Sequence, residues 1–380
     1  MKIVFTGGGT GGHFYPLMAV ADEINHIAKT EKIIEPELIY IGPFVLDQEA
    51  LVQRRMRFVK AAAGKKRKYF SIRNFFDYFK TAFGILQATW QLYRIFPDIV
   101  FSKGGYAAFP TTVAARFLGI PVVIHESDAH PGQANVIASK WAKAVAISYD
   151  EVLKFFPKNV ERKKFILTGN PVRPEIFRPV RDGAYEFLEL DSSVPTLLVL
   201  GGSTGAKKVN DVLMDALLEL IKDYQIIHQT GSENFDEVKA LADLKLQASP
   251  FKERYKPYGY LSALALRMAH GVSSLVISRA GSGVIFEIAA VGLPSILIPI
   301  PEDVSHDQTY NAFAYSASGA ATVLKQDNLT ATLLENEIRR IMNDPVLWQK
   351  MARSAKAFAK PDAARKIADI LLKIALQHEE

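Results

Sequence analysis

The sequence contains no cysteine among its 380 residues. Disulfide bonds and thiolate metal sites are therefore excluded, and the composition fits a reducing compartment. No uncharged apolar run reaches about 18 residues, the length needed to span a bilayer, so we expect no transmembrane helix. The first residues also lack the apolar core and the small-residue cleavage site of a secretory signal peptide.

Two common nucleotide-site signatures are incomplete. Residues 7–12 match the spacing G-x-G-x-x-G between a predicted strand and a predicted helix, where backbone N–H groups can approach a phosphate. A dinucleotide site would also carry an acidic residue near the end of the second strand, and residues 39–43 contain none. No P-loop lysine and serine follow the glycines, which argues against an ATPase. A tight turn without a ligand remains an alternative.

Positive charge is concentrated in one segment. The formal net charge is +6, whereas residues 52–80 alone carry ten basic side chains against the single Asp77. The remainder is therefore net negative, unlike a uniformly basic nucleic-acid-binding protein, and we expect no nucleic-acid partner. Six aromatic residues between 69 and 79 follow the basic cluster at 65–68. This combination predicts docking to an anionic membrane surface, with a solvated face as the alternative.

Short β-branched apolar runs alternate with helical patterns, which predicts parallel sheets with helical crossovers. We predict strands at 2–6, 38–41, 99–102, 122–125, 196–200, 225–229, 275–278 and 295–300. We predict helices at 16–27, 111–117, 206–221 and 284–291.

The two halves repeat one pattern. A strand runs into a glycine-rich loop and a helix at residues 5–12 and again at 200–205. Later in each half, a strand ends in a small-residue loop, at 102–105 and at 278–281. We therefore predict two similar α/β domains, joined near the proline- and glycine-containing segment 169–174.

Four side chains are candidates for chemistry, each with a structural alternative. His13 follows the first glycine loop and is either a general base or a packing residue. Glu287 either accepts hydrogen bonds from two ribose hydroxyls or balances the dipole of its helix. Ser203 is either a phosphate ligand or a helix N-cap, and Arg173 is either a diphosphate clamp or part of a domain–domain salt bridge.

A set of short segments runs in one order over almost the whole chain. The set is 8–13 with Pro16, 104–106, 121–126, 169–173, 201–203, 205–206, 287–290, 292–294, Gln308, 311–312 and 319–321. In this combination the chain resembles the MurG family, glycosyltransferase family 28, whose members add N-acetylglucosamine to a lipid-linked muramyl-peptide diphosphate. The resemblance implies the GT-B fold, two Rossmann-like domains facing across a cleft.

By this resemblance, residues 1–170 are the acceptor- and membrane-binding domain and residues 171–355 bind the UDP-sugar. A helix at about 360–380 returns to the first domain. The implied reaction is an inverting transfer from UDP-N-acetylglucosamine to lipid-linked N-acetylmuramyl-pentapeptide diphosphate (lipid I to lipid II) in peptidoglycan synthesis, at the cytoplasmic face of the membrane. No cofactor is implied. The chain also has no Asp-x-Asp triplet, so we expect no obligatory metal.

The resemblance also assigns residues to the site. His13 matches the family's candidate base, and Gly105 and Tyr106 belong to a loop that meets the acceptor diphosphate. Leu261 would offer backbone groups to uracil and Glu287 would hold the ribose. The implied donor contacts are Thr10, Gly11, Gly12, Arg173, Ser203, Leu261, Ser282, Gly283, Glu287 and Gln308.

Two positions depart from the family pattern. Asp128 stands where the family usually has asparagine, and Asp307 replaces one glutamine of a pair. Extra negative charge near a diphosphate opposes binding unless it is paired or points away. Substrate identity therefore stays open between this acceptor and another lipid acceptor, and a UDP-sugar epimerase or a membrane-docked binding protein are rivals from other classes.

Overall fold

A parallel sheet forms the centre of each of two units in the computed structural model, which describes residues 1–9, 11–64, 72–202, 205–301 and 308–379. The first unit comprises Met1–Arg173 and Lys360–Glu380, and the second comprises Pro174–Ala359. Among the described residues, no helix is both long and apolar enough to cross a membrane.

The first sheet has seven parallel strands in the order β3-β2-β1-β4-β5-β6-β7. The strands are β1 Lys2–Thr6, β2 Glu37–Gly42, β3 Arg57–Lys60, β4 Ile99–Ser102, β5 Val122–Glu126, β6 Ala144–Ile147 and β7 Phe165–Leu167. The helices of this unit are α1 Gly11–Thr30, α2 Gln48–Gln53, α3 Ile72–Ile95, α4 Gly105–Phe117, α5 Gln133–Ala138 and α14 Ala363–Glu379.

The second sheet has six parallel strands in the order β10-β9-β8-β11-β12-β13. They are β8 Thr196–Leu200, β9 Gln225–Gln229, β10 Tyr255–Tyr258, β11 Ser273–Ser278, β12 Ser295–Leu297 and β13 Ala321–Val323. Its helices are α6 Ala184–Phe187, α7 Lys207–Asp223, α8 Phe235–Leu246, α9 Ala263–Val272, α10 Ser282–Val291, α11 Thr309–Ser316, α12 Ala331–Met342 and α13 Pro345–Phe358.

Both sheets reverse their strand order beside their first strand, between β1 and β4 and between β8 and β11. Ligands of open α/β sheets bind at such switch points, outside the carboxyl ends of the strands. The glycine-rich loops after β1, β4, β8 and β11 all lie at these ends.

The C-terminal helix α14 completes the core of the first unit. Ile367, Leu371 and Ala375 are fully buried and belong to the same apolar cluster as Phe5 of β1 and Leu17 of α1. Their spacing of four residues places them on one face of α14, so the helix buries a single apolar stripe.

The predicted fold class, two Rossmann-like domains with parallel sheets, is confirmed. Each predicted strand overlaps an observed one, and β1, β4, β8 and β9 have the predicted bounds. Five strands were missed: β3, β6, β7, β10 and β13. Four of these are the sheet edges, where strands are short and one side of the ladder is unpaired, and β6 reads Ala-Val-Ala-Ile, a weak apolar signal.

Candidate functional site

The two glycine loops of the first unit are in close contact. Gly9 has φ +94° and Gly105 has φ +77°, backbone angles that residues with a side chain rarely adopt. A Cβ atom on Gly9 would lie 2.8 Å from Tyr106 Cε1, and one on Gly105 would lie 3.6 Å from His13 Nε2. The glycines thus let the Tyr106 ring and the His13 imidazole each lie against the opposite loop.

Tyr40 supports the first loop from the sheet. Its hydroxyl donates to the Gly7 carbonyl over 2.7 Å, and a Cβ atom on Gly8 would lie 2.6 Å from that hydroxyl. Burial, with a smaller contribution from Tyr106, raises the pKa of Tyr40 to about 12, so the hydroxyl stays a donor at neutral pH. Sequence reasoning missed this residue, because a tyrosine in an apolar strand carries no sign of its partner.

Lys103, directly after β4, is buried beneath the loops. Its Nζ lies 2.7 Å from His125 Nδ1 and donates to Asn170 Oδ1 over 3.1 Å. Because Lys103 donates to Nδ1, the proton of the neutral imidazole is on Nε2, which donates to the Gly169 carbonyl over 3.0 Å. Burial and the Lys103 charge hold the pKa of His125 well below its usual range, so this histidine is neutral.

Glu126, next to His125, organises the loop that follows β5. Its carboxylate accepts hydrogen bonds from the Asp128 N–H (3.0 Å), the Gly132 N–H (3.0 Å) and Asn135 Nδ2 (2.9 Å). Burial, and then the neighbouring Asp128 charge, raise the pKa of Glu126 to about 7. The predicted site residue Asp128 is half-buried and belongs to this loop. Sequence reasoning assigned no role to Lys103, Glu126 or Asn135.

Arg173 ends the first segment of this unit and contacts α1. Its guanidinium carbon lies 5.2 Å from the centroid of the Tyr15 ring, a cation–π contact. The Arg173 side chain is half-buried. Its partner Tyr15 lies two residues after His13 in α1. The role of Arg173 as a diphosphate clamp stays a prediction.

The second unit carries a tight glycine loop after β8. Gly202 and Gly205 both have φ +82°. A Cβ atom on Gly205 would lie 2.5 Å from the Thr230 carbonyl oxygen, so the loop packs against the segment after β9. Ser203 lies outside the described residues, as do Thr10 of the first unit and Asp307, and their predicted contacts stay predictions.

β11 ends at Ser278, and after a short loop helix α10 begins at Ser282. A Cβ atom on Gly283 would meet nothing within 4 Å, so the first turn is open on that side. Glu287 is half-buried in the second turn. The Gln308 amide oxygen accepts from the Ala280 N–H over 2.9 Å, which ties Gln308 to the loop before the helix.

Two further contacts bear on the predicted donor residues. Leu261 is buried, and its N–H donates to Gln229 Oε1 over 3.1 Å, so that backbone donor is engaged. Arg279, which sequence reasoning missed, donates to the Ile298 carbonyl over 3.1 Å and to Gln326 Oε1 over 2.8 Å. The guanidinium thereby links the loop after β11 to Ile298, which directly follows β12.

Comparison with known proteins assigns the chain to a family. The model of the glycosyltransferase family 28 N-terminal domain matches residues 3–147, and that of the family 28 C-terminal domain matches residues 196–367. The chain belongs to glycosyltransferase family 28.

Curated family 28 relatives match almost the whole chain. One from Treponema denticola is 35% identical over 97% of this chain and 96% of its own length. One from Clostridium novyi is 34% identical and covers 94% of each. Both are named UDP-N-acetylglucosamine–N-acetylmuramyl-(pentapeptide) pyrophosphoryl-undecaprenol N-acetylglucosamine transferase.

Solved structures share the fold. The crystal structure of Acinetobacter baumannii MurG has a TM-score of 0.73 and 26% identity, covering 98% of this chain and 99% of that one. A UDP-GlcNAc 2-epimerase from Neisseria meningitidis, bound to UDP-GlcNAc, has a TM-score of 0.66 at 15% identity, covering 98% of this chain and all of its own. The second likeness concerns the fold alone.

Proposed function

We propose that this family 28 chain transfers N-acetylglucosamine from UDP-N-acetylglucosamine to lipid-linked N-acetylmuramyl-pentapeptide diphosphate, with inversion at the anomeric carbon. The observation that carries the proposal is the 34–35% identity, over nearly full length, to transferases named for this reaction. Glycine-rich segments after the first strand of each sheet support the proposal, because ligands of open α/β sheets bind at such switch points.

The acceptor belongs to the first unit in this proposal. The acceptor diphosphate would meet backbone N–H groups of Gly8, Gly9 and residues 104–105, where the two glycine loops are in contact. His13, in the first turn of α1 and against Gly105, would then accept the proton of the attacking sugar hydroxyl. The reaction is a single displacement, in which that hydroxyl oxygen bonds to the anomeric carbon as the bond to UDP breaks.

The donor belongs to the second unit. Negative charge grows on the UDP diphosphate as the sugar leaves, and the N-terminus of α10 would offer backbone N–H groups to it. Glu287 would accept hydrogen bonds from the ribose hydroxyls, and Gln308, which precedes α11 and accepts from the Ala280 N–H, would face the sugar.

The lipid-linked acceptor also calls for a membrane-docking surface, for which α3 is our candidate. Large apolar side chains recur along α3 at intervals of three and four residues, on one face of the helix. The members of this stripe are Phe75, Phe79, Phe83, Leu86, Trp90 and Tyr93, each 59–71% exposed. A continuous exposed aromatic stripe suits the interfacial zone of a bilayer and not bulk water.

The basic residues of the segment 52–80 do not all contribute to this surface. Arg54 pairs with Asp22 (N···O 2.6 Å), Arg57 with Glu37 (3.1 Å) and Arg55 with Glu35 (3.6 Å). These three charges are balanced within the first unit. The cluster at 65–68 lies outside the described residues, and its role in docking remains part of the proposal.

A UDP-release assay tests the function. Purified protein with UDP-N-acetylglucosamine should release UDP only when a lipid-linked N-acetylmuramyl-pentapeptide diphosphate is added. The product should carry one additional N-acetylglucosamine in β linkage by mass and NMR. UDP release without acceptor, or conversion of the donor to its 2-epimer, would instead support the epimerase class. If UDP is released only when a different lipid diphosphate is added, that lipid diphosphate is the acceptor in place of the proposed one.

A further inference from the structure

Lys103 is a buried cation at the centre of the first unit's site. Its side chain is 1% exposed, and Glu126, close by, is 3% exposed. A buried ammonium opposes folding unless it is paired and hydrogen-bonded. A lysine in this place therefore needs partners that offset the cost of its burial, and the reaction steps described above give it no part.

The lysine joins segments that are distant in the chain. Its backbone N–H donates to the Thr6 carbonyl at the start of the first glycine loop (2.9 Å), and Gly104 and Gly105 follow it directly. Its Nζ contacts His125 Nδ1 at the end of β5 and Asn170 Oδ1 in the segment that leads to Arg173. The backbone of Lys103 thus holds the start of the first glycine loop and leads directly into the second, and its ammonium contacts the end of β5 and the junction.

The contact with His125 has a second effect. Because Nδ1 accepts from Lys103, the imidazole must donate through Nε2, and its partner is the Gly169 carbonyl. Gly169 has φ +81°, and its carbonyl also accepts from Thr168 Oγ1 over 2.9 Å. The Lys103 ammonium and the Gly169 carbonyl thus favour the same tautomer, and the imidazole links the lysine to the turn that precedes Arg173.

Charge balance is a third effect. Two carboxylates, Glu126 and Asp128, lie close enough to act on Lys103, and each favours its charged form. Burial, the Lys103 charge and, to a smaller extent, His13 lower the pKa of His125, so it is neutral. Removing the lysine charge would leave two neighbouring carboxylates in a largely buried loop, where like charges repel strongly.

We propose that Lys103 is a positioning residue for the transfer reaction: through His125 and Asn170, its ammonium holds the loop at 126–132 and the junction at 169–173 in the arrangement that receives the acceptor. This inference rests on the proposed function. Lys103 is buried below the loops and acts through them, so it is not itself a catalytic residue.

The proposal has a pH consequence. Burial lowers the pKa of Lys103 to about 8, with Glu126 and Asp128 opposing that shift. As pH rises through this value the ammonium loses its proton, so turnover should fall on the alkaline side. His125 stays neutral throughout that range, and Glu126 is already ionised above about pH 7, so neither produces this limb.

The experiment compares Lys103→Met and Lys103→Gln with wild type and with Lys29→Met, an exposed lysine on α1. We expect both Lys103 variants to lower kcat by about 10- to 100-fold, as displaced reacting groups do, and to raise KM for the acceptor but not for UDP-N-acetylglucosamine. The alkaline limb near pH 8 should disappear in both. Adding Asp128→Asn to Lys103→Met should recover part of the activity, because one carboxylate is removed.

A structural readout accompanies the kinetics. ¹⁵N NMR of His125 should show the Nε2–H tautomer in wild type and in Lys103→Met, because the Gly169 carbonyl can only accept. The Nδ1 resonance should shift in Lys103→Met, which lacks the ammonium donor, and should match wild type in Lys29→Met. An unchanged Nδ1 resonance, or an alkaline limb that survives in folded Lys103→Gln, would overturn the proposal. If wild type gives no transfer at all, the proposed function fails, and the Nδ1 measurement still decides whether Lys103 positions His125. Should Lys103→Met not fold, Lys103→Gln, which keeps a hydrogen-bond donor, carries the test.

Discussion

His13 and Gly105, 92 positions apart in the chain, touch at the switch point of the first sheet: a Cβ atom on Gly105 would lie 3.6 Å from His13 Nε2. The contact places the His13 imidazole, in the first turn of α1, against the second glycine loop. A base for an acceptor held between these loops would need this location, whereas a packing histidine would be buried among apolar side chains.

For the base role we expect His13→Ala to lower kcat by about 10²–10⁴-fold, because the attacking hydroxyl loses its proton acceptor. Affinity for UDP-N-acetylglucosamine, measured by calorimetry, should change little, since the donor belongs to the second unit. The control is His26→Ala, an exposed histidine on the same helix. Near-wild-type turnover in the His13 variant would leave this residue a packing role.

Glu287→Ala should weaken UDP binding by about 1–3 kcal/mol, the usual effect of losing hydrogen bonds to a charged acceptor. Calorimetry with UDP measures this directly, and Glu287→Gln should give an intermediate loss, because the amide retains one acceptor oxygen. Glu335→Ala, on α12 of the same unit, is the control. Equal UDP affinity in wild type and Glu287→Ala would remove Glu287 from the ribose.

Glu126 should make stability depend on pH. Its folded pKa is about 7, raised from an ordinary 4.5, so the folded state binds more protons between these values. Its contribution is then fully present below about pH 4.5 and is lost as pH rises through 7, by about 3 kcal/mol. Because Asp128 is one cause of the shift, Asp128→Asn should flatten this decline in denaturant-unfolding curves. Parallel curves for the two proteins would mean that Asp128 does not act on Glu126.

The α3 stripe should bind membranes. We expect wild type to co-sediment with anionic vesicles, less with neutral ones and less at high salt, because each basic residue near the surface contributes about 1 kcal/mol. Changing Phe75, Phe79 and Phe83 to serine should abolish binding, and changing Lys65, Lys66, Arg67 and Lys68 to glutamine should weaken it most at low salt.

The matched control for membrane binding is Arg55→Gln with Arg57→Gln, since both arginines are ion-paired within the first unit. This pair should bind vesicles as wild type does. If the stripe variant and the basic-cluster variant both bind vesicles as wild type does, residues 52–80 are an ordinary solvated face.

Local pattern was enough to predict the elements that bury the most apolar surface. The strands β1, β4 and β8 each contain three or more consecutive apolar residues, and the glycine loops that follow β1 and β8 are local in sequence. The edge strands were not predictable in this way. β10, for example, reads Tyr-Lys-Pro-Tyr, and a proline is compatible with a strand only where one side of the ladder is unpaired.

The sequence by itself determined the fold class, the family and the position of His13 beside a phosphate-type loop, because each depends on residues adjacent in the chain or on an ordered set of motifs. Only the tertiary structure decided the partners of Lys103. His125 and Asn170 are 22 and 67 residues away in the chain, and His125 comes close because β4 and β5 are neighbours in the sheet. The partners of a buried charge are set by the fold and not by proximity in the chain, so no local sequence pattern could have predicted the partners of Lys103.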